Sequence, residues 1–297
     1  MKIFLTGKNG QLGYQLECDL KKSHEIVATD RDTLDLKDTQ SVEDTIQKIK
    51  PDLIVNAAAY TNVDKAEIEK DLAYEVNALG PKALTRAAKA LDIPIIHIST
   101  DYIFDGLKKD AYEEDDIANP VSIYGKTKWQ GEEFVRRHLK HFILRTSWVF
   151  SSHGHNFLKT IIKLAQEKTS LNVVNDQWGA PTSIKTLSEA IQVIIAYLDQ
   201  KNNLEVYGTY HVVSEGETNW YFYARKILDV LESFKTELKL KKNDIHPIPS
   251  SQYPQAAIRP KNSRMNTKKF KNTFMLELPR WENEVAEAIS QIIKNLK

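Results

Sequence analysis

Tyr124 and Lys128 have the side-chain chemistry and the spacing of a proton-transfer pair. They stand four residues apart in the segment SIYGKTKWQGE (122–132), which is predicted to begin a helix, and residues at i and i+4 share one helix face. A phenol alone ionises near pH ~10, and a neighbouring ammonium favours its anionic form. The pair is therefore suited to moving a proton at neutral pH, although the same spacing also arises by chance on many helix surfaces.

A glycine-rich segment near the N-terminus predicts a second site. GKNGQLG (7–13) follows a short apolar run at 3–5, and leucines at 12, 16 and 20 continue at helical spacing. A strand, a bare turn and a helix N-terminus together let a diphosphate approach the backbone. The alternative is a tight turn that binds nothing, because short glycine motifs are frequent. The candidate cofactor residues here are Gly7, Gly10, Gln11, Leu12 and Gly13.

The next predicted strand, 25–29, ends at Asp30, where a dinucleotide fold often places an acid on the adenosine ribose. Arg31 follows and could instead meet a 2′-phosphate, so the choice between NADH and NADPH stays open. Asp35 and Leu36 open a loop that could lie against the adenine or only begin a turn.

Two further strands bring polar and small residues to the same edge of the predicted sheet. The segment 52–60, DLIVNAAAY, is predicted to be a buried strand that runs into three alanines, which leave room for a cofactor. A long helix is predicted over 67–91, with Asn77 in its middle. The fourth strand, 93–99, ends at the cluster Ser99, Thr100, Asp101 and Tyr102. The Thr100 hydroxyl could share a substrate oxygen with Tyr124, or Thr100 and Asp101 could cap the following turn.

The repeated alternation of strand and helix predicts an α/β fold, a Rossmann-type doubly wound parallel sheet with a smaller C-terminal α/β substrate lobe. We expect an NAD(P)-binding domain over 1–150 and a mainly substrate-binding lobe over 151–297, with about 184–206 packing back on the first. Helices are predicted at 156–166, 184–198, 219–231 and 281–296, and strands at 142–145 and 207–213.

Trp148 and two arginines later in the chain invite two interpretations each. Trp148 follows a strand and could cover a ligand, or pack in the core as tryptophans more often do. Arg259 and Arg264 lie in a polar loop, 250–267, and could bind a phosphorylated ligand. Alternatively, both arginines form surface ion pairs of little energetic weight.

Composition excludes several classes of protein. The 297 residues carry 41 Lys and Arg against 40 Asp and Glu, a net charge of +1, which gives no general attraction for nucleic acid or anionic lipid. Cys18 is the single cysteine, so no internal disulfide can form. Neither a signal peptide nor a membrane span is indicated, and we expect a cytoplasmic protein. No histidine pair has a partner at the usual zinc spacing, so no metal site is predicted.

Taken in order, the motifs GKNGQLG, NAAAYT, STDYIF, YGKTK, RTSWVF, NDQWGAPT and RPKNSRMNT carry a resemblance. The chain resembles the extended short-chain dehydrogenase/reductase superfamily and, within it, the family of dTDP-4-dehydrorhamnose reductases, essentially from end to end. The resemblance implies NADPH or NADH as cofactor and a dTDP-sugar as substrate. The cofactor residues that it implies are those named above together with Ala57, Ala58, Ala59, Tyr60, Thr61, Asn77, Tyr124 and Lys128.

The same resemblance implies residue roles. The catalytic triad of the superfamily falls on Thr100, Tyr124 and Lys128: Tyr124 gives its proton to the forming alkoxide, Lys128 lowers the phenol's pKa and holds the nicotinamide ribose, and Thr100 bonds the reacting oxygen. Thr in place of the commoner Ser keeps the hydroxyl. Thr100, Asp101 and Trp148 are the implied substrate contacts.

One departure from the family concerns assembly. Some members form dimers bridged by magnesium on acidic side chains, and the corresponding positions here hold Gln15, Lys185 and Gln291, which are poor magnesium ligands. We therefore expect a monomer without a metal bridge. Two alternatives to the dTDP-rhamnose reaction remain: a 4-keto reductase for another deoxysugar, and a non-catalytic subunit like the regulatory β subunit of methionine adenosyltransferase.

Overall fold

A computed structural model of the protein describes residues 1–200 and 204–295. Strands and helices alternate through the first half of the chain. The strands are β1 (Lys2–Thr6), β2 (Glu25–Thr29), β3 (Leu53–Asn56), β4 (Ile95–Thr100) and β5 (His141–Thr146). The helices are α1 (Gln11–Leu20), α2 (Thr39–Ile49), α3 (Val63–Ala66), α4 (Lys70–Tyr74), α5 (Gly80–Leu91) and α6 (Ile123–Val135).

The second half has shorter and less regular elements. Its strands are β6 (Val149–Phe150), β7 (Leu171–Val174), β8 (Trp178–Gly179), β9 (Thr182–Ser183), β10 (Gly208–His211), β11 (Thr218–Asn219) and β12 (Ile245–Ile248). Its helices are α7 (Phe157–Glu167), α8 (Ile184–Gln200), α9 (Trp220–Ser233), α10 (Lys268–Phe274) and α11 (Trp281–Asn295). Leu296, the predicted end of the last helix, lies outside the described residues.

Six parallel strands form the main sheet in the order β10-β5-β4-β3-β1-β2, which confirms the predicted parallel α/β fold. Its central strands β1, β3, β4 and β5 are buried on both faces, as is usual in parallel sheets. Ile3 and Leu5 join a core with α1 and α8, whereas Phe4 joins a core with α2 and α5. The chain passes from β1 to β2 on one side and returns to β3 on the other. Ligands bind at such a switch point, beyond the carboxyl ends of the strands.

A second core holds the smaller lobe together. It joins α7, α9 and α11 with the parallel pair β7–β12, through side chains such as Leu158, Tyr223, Ile227 and Val285. Not all of the second half lies there. Strand β10 is an edge of the main sheet, and Phe270 and Phe274 of α10 are buried in the core of that sheet.

The helix predicted over 67–91 differs from the structure. It begins at Lys70, after the separate short helix α3, and a π-helical segment at Glu75–Leu79 divides it into α4 and α5. The Asn77 side chain bonds both the backbone N–H and the carbonyl of Tyr60. The Asn77 carbonyl lies so close to Gly131 that a Cβ there would be 2.2 Å away. Helical periodicity does not reveal such a one-residue bulge, which commonly lies beside a functional site.

Two other parts of the second half differ from the elements predicted from the sequence. The segment between α7 and α8 contains β7, β8 and β9, for which no strand was predicted. The strand predicted over 207–213 covers only Gly208–His211, although the Val212 N–H still bonds the Arg145 carbonyl. Among the described residues, no helix combines the length and the apolar character needed to span a bilayer.

Candidate active site

A cleft of about 820 Å³ lies beyond the carboxyl ends of β1 to β5, with the smaller lobe as its opposite wall. Most residues selected from the sequence line it. They are Gly7, Gly10, Gln11, Leu12, Asp30, Arg31, Asp35, Leu36, Ala57, Ala58, Ala59, Tyr60, Thr61, Thr100, Asp101, Tyr124, Lys128 and Trp148. Gly13 and Asn77 do not line the cleft but support it from behind.

The glycine turn is shaped for close approach of a ligand. Gly7 has φ +77°, and a Cβ there would lie 2.9 Å from the backbone of Ala58. A Cβ on Gly13 would lie 2.0 Å from the Gly7 carbonyl oxygen, so only glycine fits beneath the turn. Gly10 precedes α1, and no side chain caps the first N–H groups of that helix. These bare amides and the positive end of the helix dipole suit the diphosphate of a dinucleotide.

Asp30 lies at the end of β2 as an ionised carboxylate. It accepts hydrogen bonds from the Thr33 hydroxyl and amide and from the Asn9 side chain, and the Lys8 ammonium lies 3.5 Å away. The bonds from Thr33, with a smaller contribution from Lys8, lower the pKa of Asp30 to about 2. Arg31 lines the cleft beside it, so groups for a ribose hydroxyl and for a 2′-phosphate stand together.

Tyr124 carries its proton at neutral pH. Burial raises the pKa of its phenol to about 12, and a hydrogen bond with the Thr100 side chain opposes that shift. The Tyr102 ring meets the Tyr124 ring edge-on, with centroids 5.4 Å apart. A neutral phenol bonded to a hydroxyl can donate a proton to an oxygen in the cleft.

The Lys128 ammonium does not act on the phenol as the sequence argument expected. It is 2 % exposed and donates to the Ile98 carbonyl at 2.6 Å. Burial lowers the pKa of Lys128 to about 8, and desolvation of Tyr124 outweighs any attraction of the ammonium for a phenolate. The expected downward shift of the Tyr124 pKa is therefore absent, and the two groups face the cleft as a neutral acid and a cation.

Thr100 caps the turn that follows β4, which was one of the two interpretations made from the sequence; its contact with a substrate oxygen stays a prediction. Its hydroxyl accepts from the Tyr102 N–H, which caps the short 3₁₀ helix Asp101–Ile103, and it also donates to Asp101 at 3.0 Å. Two cleft atoms nearby, Asp101 Oδ2 and Thr146 Oγ1, are buried without a hydrogen-bond partner among the described residues. Burial raises the pKa of Asp101 to about 6. Buried polar atoms without a hydrogen-bond partner are expected where a hydroxylated ligand binds.

A stacked pair of tryptophans forms the wall from the smaller lobe. The rings of Trp148 and Trp220 lie 3.7 Å apart at 16°, and the Trp220 indole N–H donates to Gln177. Trp148 has φ +48°, and a Cβ on Gly179 would lie 2.9 Å from its ring. Trp220 lines the cleft and escaped the sequence analysis, because a tryptophan at the start of a predicted helix carries no signal of its distant neighbours.

The two arginines of the polar loop both have protein partners. Arg259 makes a bidentate pair with Asp64, at 3.1 and 2.6 Å. Arg264 pairs with Glu217 at 3.0 Å and bonds the Lys109 carbonyl. Neither arginine lines the cleft.

The three positions associated with a metal bridge also make contacts within the chain. Gln15 donates to Asp19, Lys185 pairs with Glu287, and Gln291 accepts from Ser152. Within 1–200 and 204–295, no group of three or more His, Cys, Asp or Glu side chains is arranged to hold a metal ion.

Comparison with known proteins gives a consistent result. Residues 1–294 match the family described as "RmlD substrate binding domain". The dTDP-4-dehydrorhamnose reductase of Salmonella typhimurium is 40 % identical over 301 residues, covering 98 % of each chain.

Two solved structures are similar in fold and sequence. A dTDP-4-dehydrorhamnose reductase from Clostridium acetobutylicum has a TM-score of 0.89 and 38 % identity, covering 99 % of this chain and 100 % of the other. The reductase from Bacillus anthracis, in complex with NADP, has a TM-score of 0.89 and 35 % identity, covering 98 % and 99 %.

Proposed function

The chain belongs to the RmlD substrate binding domain family, among whose members its relatives are dTDP-4-dehydrorhamnose reductases, and we infer that it is such a reductase. The reaction is the NAD(P)H-dependent reduction of the 4-keto group of dTDP-4-dehydro-6-deoxy-L-mannose to give dTDP-L-rhamnose, the last step of dTDP-rhamnose biosynthesis. One observation carries this assignment to the site: the phenol of Tyr124, the hydroxyl of Thr100 and the buried Lys128 line the same cleft, which begins at the glycine turn.

The cleft fits a dinucleotide. The turn that only glycine can form, with the uncapped start of α1, would hold the diphosphate. Asp30 and Arg31 would hold the adenosine ribose or its 2′-phosphate, and Lys128 would hold the nicotinamide ribose. When bound, the reduced nicotinamide supplies the hydride for the carbonyl carbon.

Tyr124 acts as the general acid. It holds the proton that the developing alkoxide requires, and the Thr100 hydroxyl would turn its own proton from Asp101 to the reacting oxygen. A positioned acid contributes about 10²–10⁴-fold to such a step. Lys128, itself buried, places a positive charge in the same cleft, where it favours negative charge on oxygen.

The substrate occupies the side of the cleft that faces the smaller lobe. Asp101 has an unpaired Oδ2 that would accept from a sugar hydroxyl. The Trp148–Trp220 stack offers an apolar surface beside it. Domain 1–150 thus serves mainly the cofactor, and segments of 151–297 serve mainly the substrate.

We also propose that the protein works in the cytoplasm and as a monomer. The amides of Gln15 and Gln291 and the paired Lys185 replace the carboxylates that a magnesium bridge needs.

Loss of reduced-nicotinamide absorbance tests this function. We expect the purified protein with dTDP-4-dehydro-L-rhamnose to consume NADPH or NADH. Tyr124→Phe removes the proton but keeps the ring, and should slow turnover by about 10²-fold or more. Tyr14→Phe, on an exposed tyrosine of α1 outside the cleft, should keep wild-type turnover.

If folded protein oxidises neither cofactor with this substrate but does so with another keto-sugar nucleotide, the sugar has been assigned wrongly. Activity with none of them would instead favour the non-catalytic subunit.

A further inference from the structure

A buried ion pair lies behind the cofactor cleft and takes no part in the reaction described so far. Glu132 is fully buried and Arg145 is 2 % exposed. The Arg145 guanidinium donates to both carboxylate oxygens, with N–O distances of 3.0 to 3.3 Å. Arg136, one turn further along α6, donates to the same carboxylate. Burying such charges costs free energy, and this cost is offset only when the pair is well bonded.

The pair lies next to Lys128. Tyr124, Lys128 and Glu132 follow one another at intervals of four residues on α6, so the three side chains share one face of the helix. Tyr124 and Lys128 line the cleft, whereas Glu132 lies one turn behind them, against β5. From the cleft inwards, this face of α6 therefore carries an acid (Tyr124), a cation (Lys128) and an anion (Glu132).

Lys128 depends on this arrangement because its own contacts are few. Its ammonium is buried and donates to the uncharged Ile98 carbonyl. Burial lowers the pKa of Lys128 to about 8, and the charge of Glu132 opposes that shift.

The other ionisable groups around α6 give less support. His97 on β4 is fully buried, and its pKa is held well below the usual range by burial and by nearby cations. Asp101 follows β4 and lines the cleft, and burial raises its pKa to about 6. Arg145 on β5 and Arg136 on α6 are cations.

We propose that Glu132 is a positioning residue for the reductase reaction: locked between Arg145 and Arg136, it sets a fixed carboxylate one helical turn behind Lys128 and keeps that ammonium charged and directed at the cofactor side of the cleft. This inference rests on the proposed function for its kinetic consequences, but not for its electrostatic ones. A glutamate that only stabilised the fold would be seen in the unfolding temperature, whereas the proposed role also requires a shift in the titration of Lys128.

Three variants separate the charge effect from stability. Glu132→Gln removes the anion; Arg136→Gln removes a cation that is 27 % exposed and leaves the buried pair intact. Glu133→Gln is the matched control, because Glu133 also pairs with Arg136 but is half exposed and faces away from Lys128 in sequence register. Circular dichroism and the unfolding temperature report whether each variant folds.

The alkaline limb of the pH profile of kcat/KM is the kinetic readout. If Lys128 must be charged, wild-type activity falls as the pH rises through about 8. We expect Glu132→Gln to move this limb to lower pH by about one unit or more, since it deletes an opposite charge near a buried ammonium. Arg136→Gln should move it to higher pH, and Glu133→Gln should leave it in place.

A measurement that requires no catalytic turnover tests the role of Glu132 independently of the proposed function. Brief labelling with acetic anhydride across pH 6 to 11, followed by peptide mass mapping, gives the titration midpoint of Lys128. We expect the same order of midpoints, with Glu132→Gln lowest and Arg136→Gln highest.

An unchanged Lys128 midpoint in a folded Glu132→Gln protein, or an equal shift in Glu133→Gln, would overturn the role of Glu132. If instead the midpoints move as expected but no sugar nucleotide is reduced, the electrostatic inference stands and the reductase assignment is wrong. If the Glu132→Gln protein fails to fold, Glu132→Asp decides, because it keeps the charge but moves it by one methylene relative to Lys128; a wild-type Lys128 midpoint in that variant would overturn the role of Glu132.

Discussion

Replacing Gly13 by alanine should damage the cofactor site from beneath. The new Cβ would lie 2.0 Å from the Gly7 carbonyl oxygen and 2.5 Å from its carbon. Real Cβ contacts are essentially never shorter than 3.0 Å, so the turn must move by about 1 Å. That carbonyl also accepts the Gly10 N–H at 2.9 Å, and the shift would therefore open the turn that is meant to surround the diphosphate.

The size of the effect can be bounded. Overpacking of this kind costs about 1–3 kcal/mol, and each kcal/mol lowers the unfolding temperature of a protein of this size by about 2–4 °C. Cofactor stabilises the folded state by about 2.7 kcal/mol at one hundred times Kd. A tenfold weaker Kd removes about 1.4 kcal/mol of that. The variant should therefore unfold several degrees lower, and NADPH should stabilise it less.

Thermal unfolding with and without NADPH measures both effects. Gly10→Ala is the matched comparison, because its Cβ would lie 3.2 Å from the same carbonyl and needs only a small adjustment. Its unfolding temperature without cofactor should stay near that of the wild type. A Gly13→Ala protein with the wild-type unfolding temperature and the wild-type response to NADPH would refute the steric reasoning.

Two further predictions concern the contacts between the lobes. Asp64→Asn should loosen the loop 255–259, because the Asp64 carboxylate accepts from the Ala256 and Ala257 amides and from Arg259. We expect faster limited proteolysis near the exposed Tyr253 and a several-fold higher KM for the sugar. Glu217→Gln, which changes the partner of Arg264, should alter neither. Glu284 is buried and accepts from the hydroxyls of Ser183, Thr186 and Ser214, and burial raises its pKa above the usual 4.5. Because the pKa of Glu284 is raised in the folded state, its contribution to stability is fully present below pH 4.5 and is lost as the pH rises through the folded-state pKa. The unfolding temperature of the wild type, measured relative to that of Glu284→Gln, should therefore fall from pH 4 to pH 7. A difference that stays constant over this range would contradict the prediction.

Local features of the site could be predicted from the sequence because their causes are local. The glycine turn, the acid at the end of β2 and the four-residue spacing of Tyr124 and Lys128 depend on neighbours in the chain. The direction of the Lys128 ammonium does not: the Ile98 carbonyl, 30 residues away, receives it. The Tyr124 pKa was therefore expected to fall, whereas burial raises it.

Contacts between segments that are distant in the chain could not be predicted from the sequence. Trp220 reaches the cleft only because α9 packs in the smaller lobe against Trp148. The π-helical segment at Asn77 depends on a close approach to Gly131, more than 50 residues later. Neither contact leaves a periodic pattern in the sequence, since both are set by how the layers meet.

The path of the chain between the two lobes has a consequence for any attempt to divide the protein. After β5 the chain enters the smaller lobe, returns for α8 and β10, leaves again for α9, returns for α10 and ends in the smaller lobe with α11. Cutting at residue 150 would strip the edge strand from β5 and expose Ile3, Leu5 and Leu144 where α8 now covers them. We therefore expect neither half to fold alone, so that the cofactor site and the substrate site form only in the intact chain.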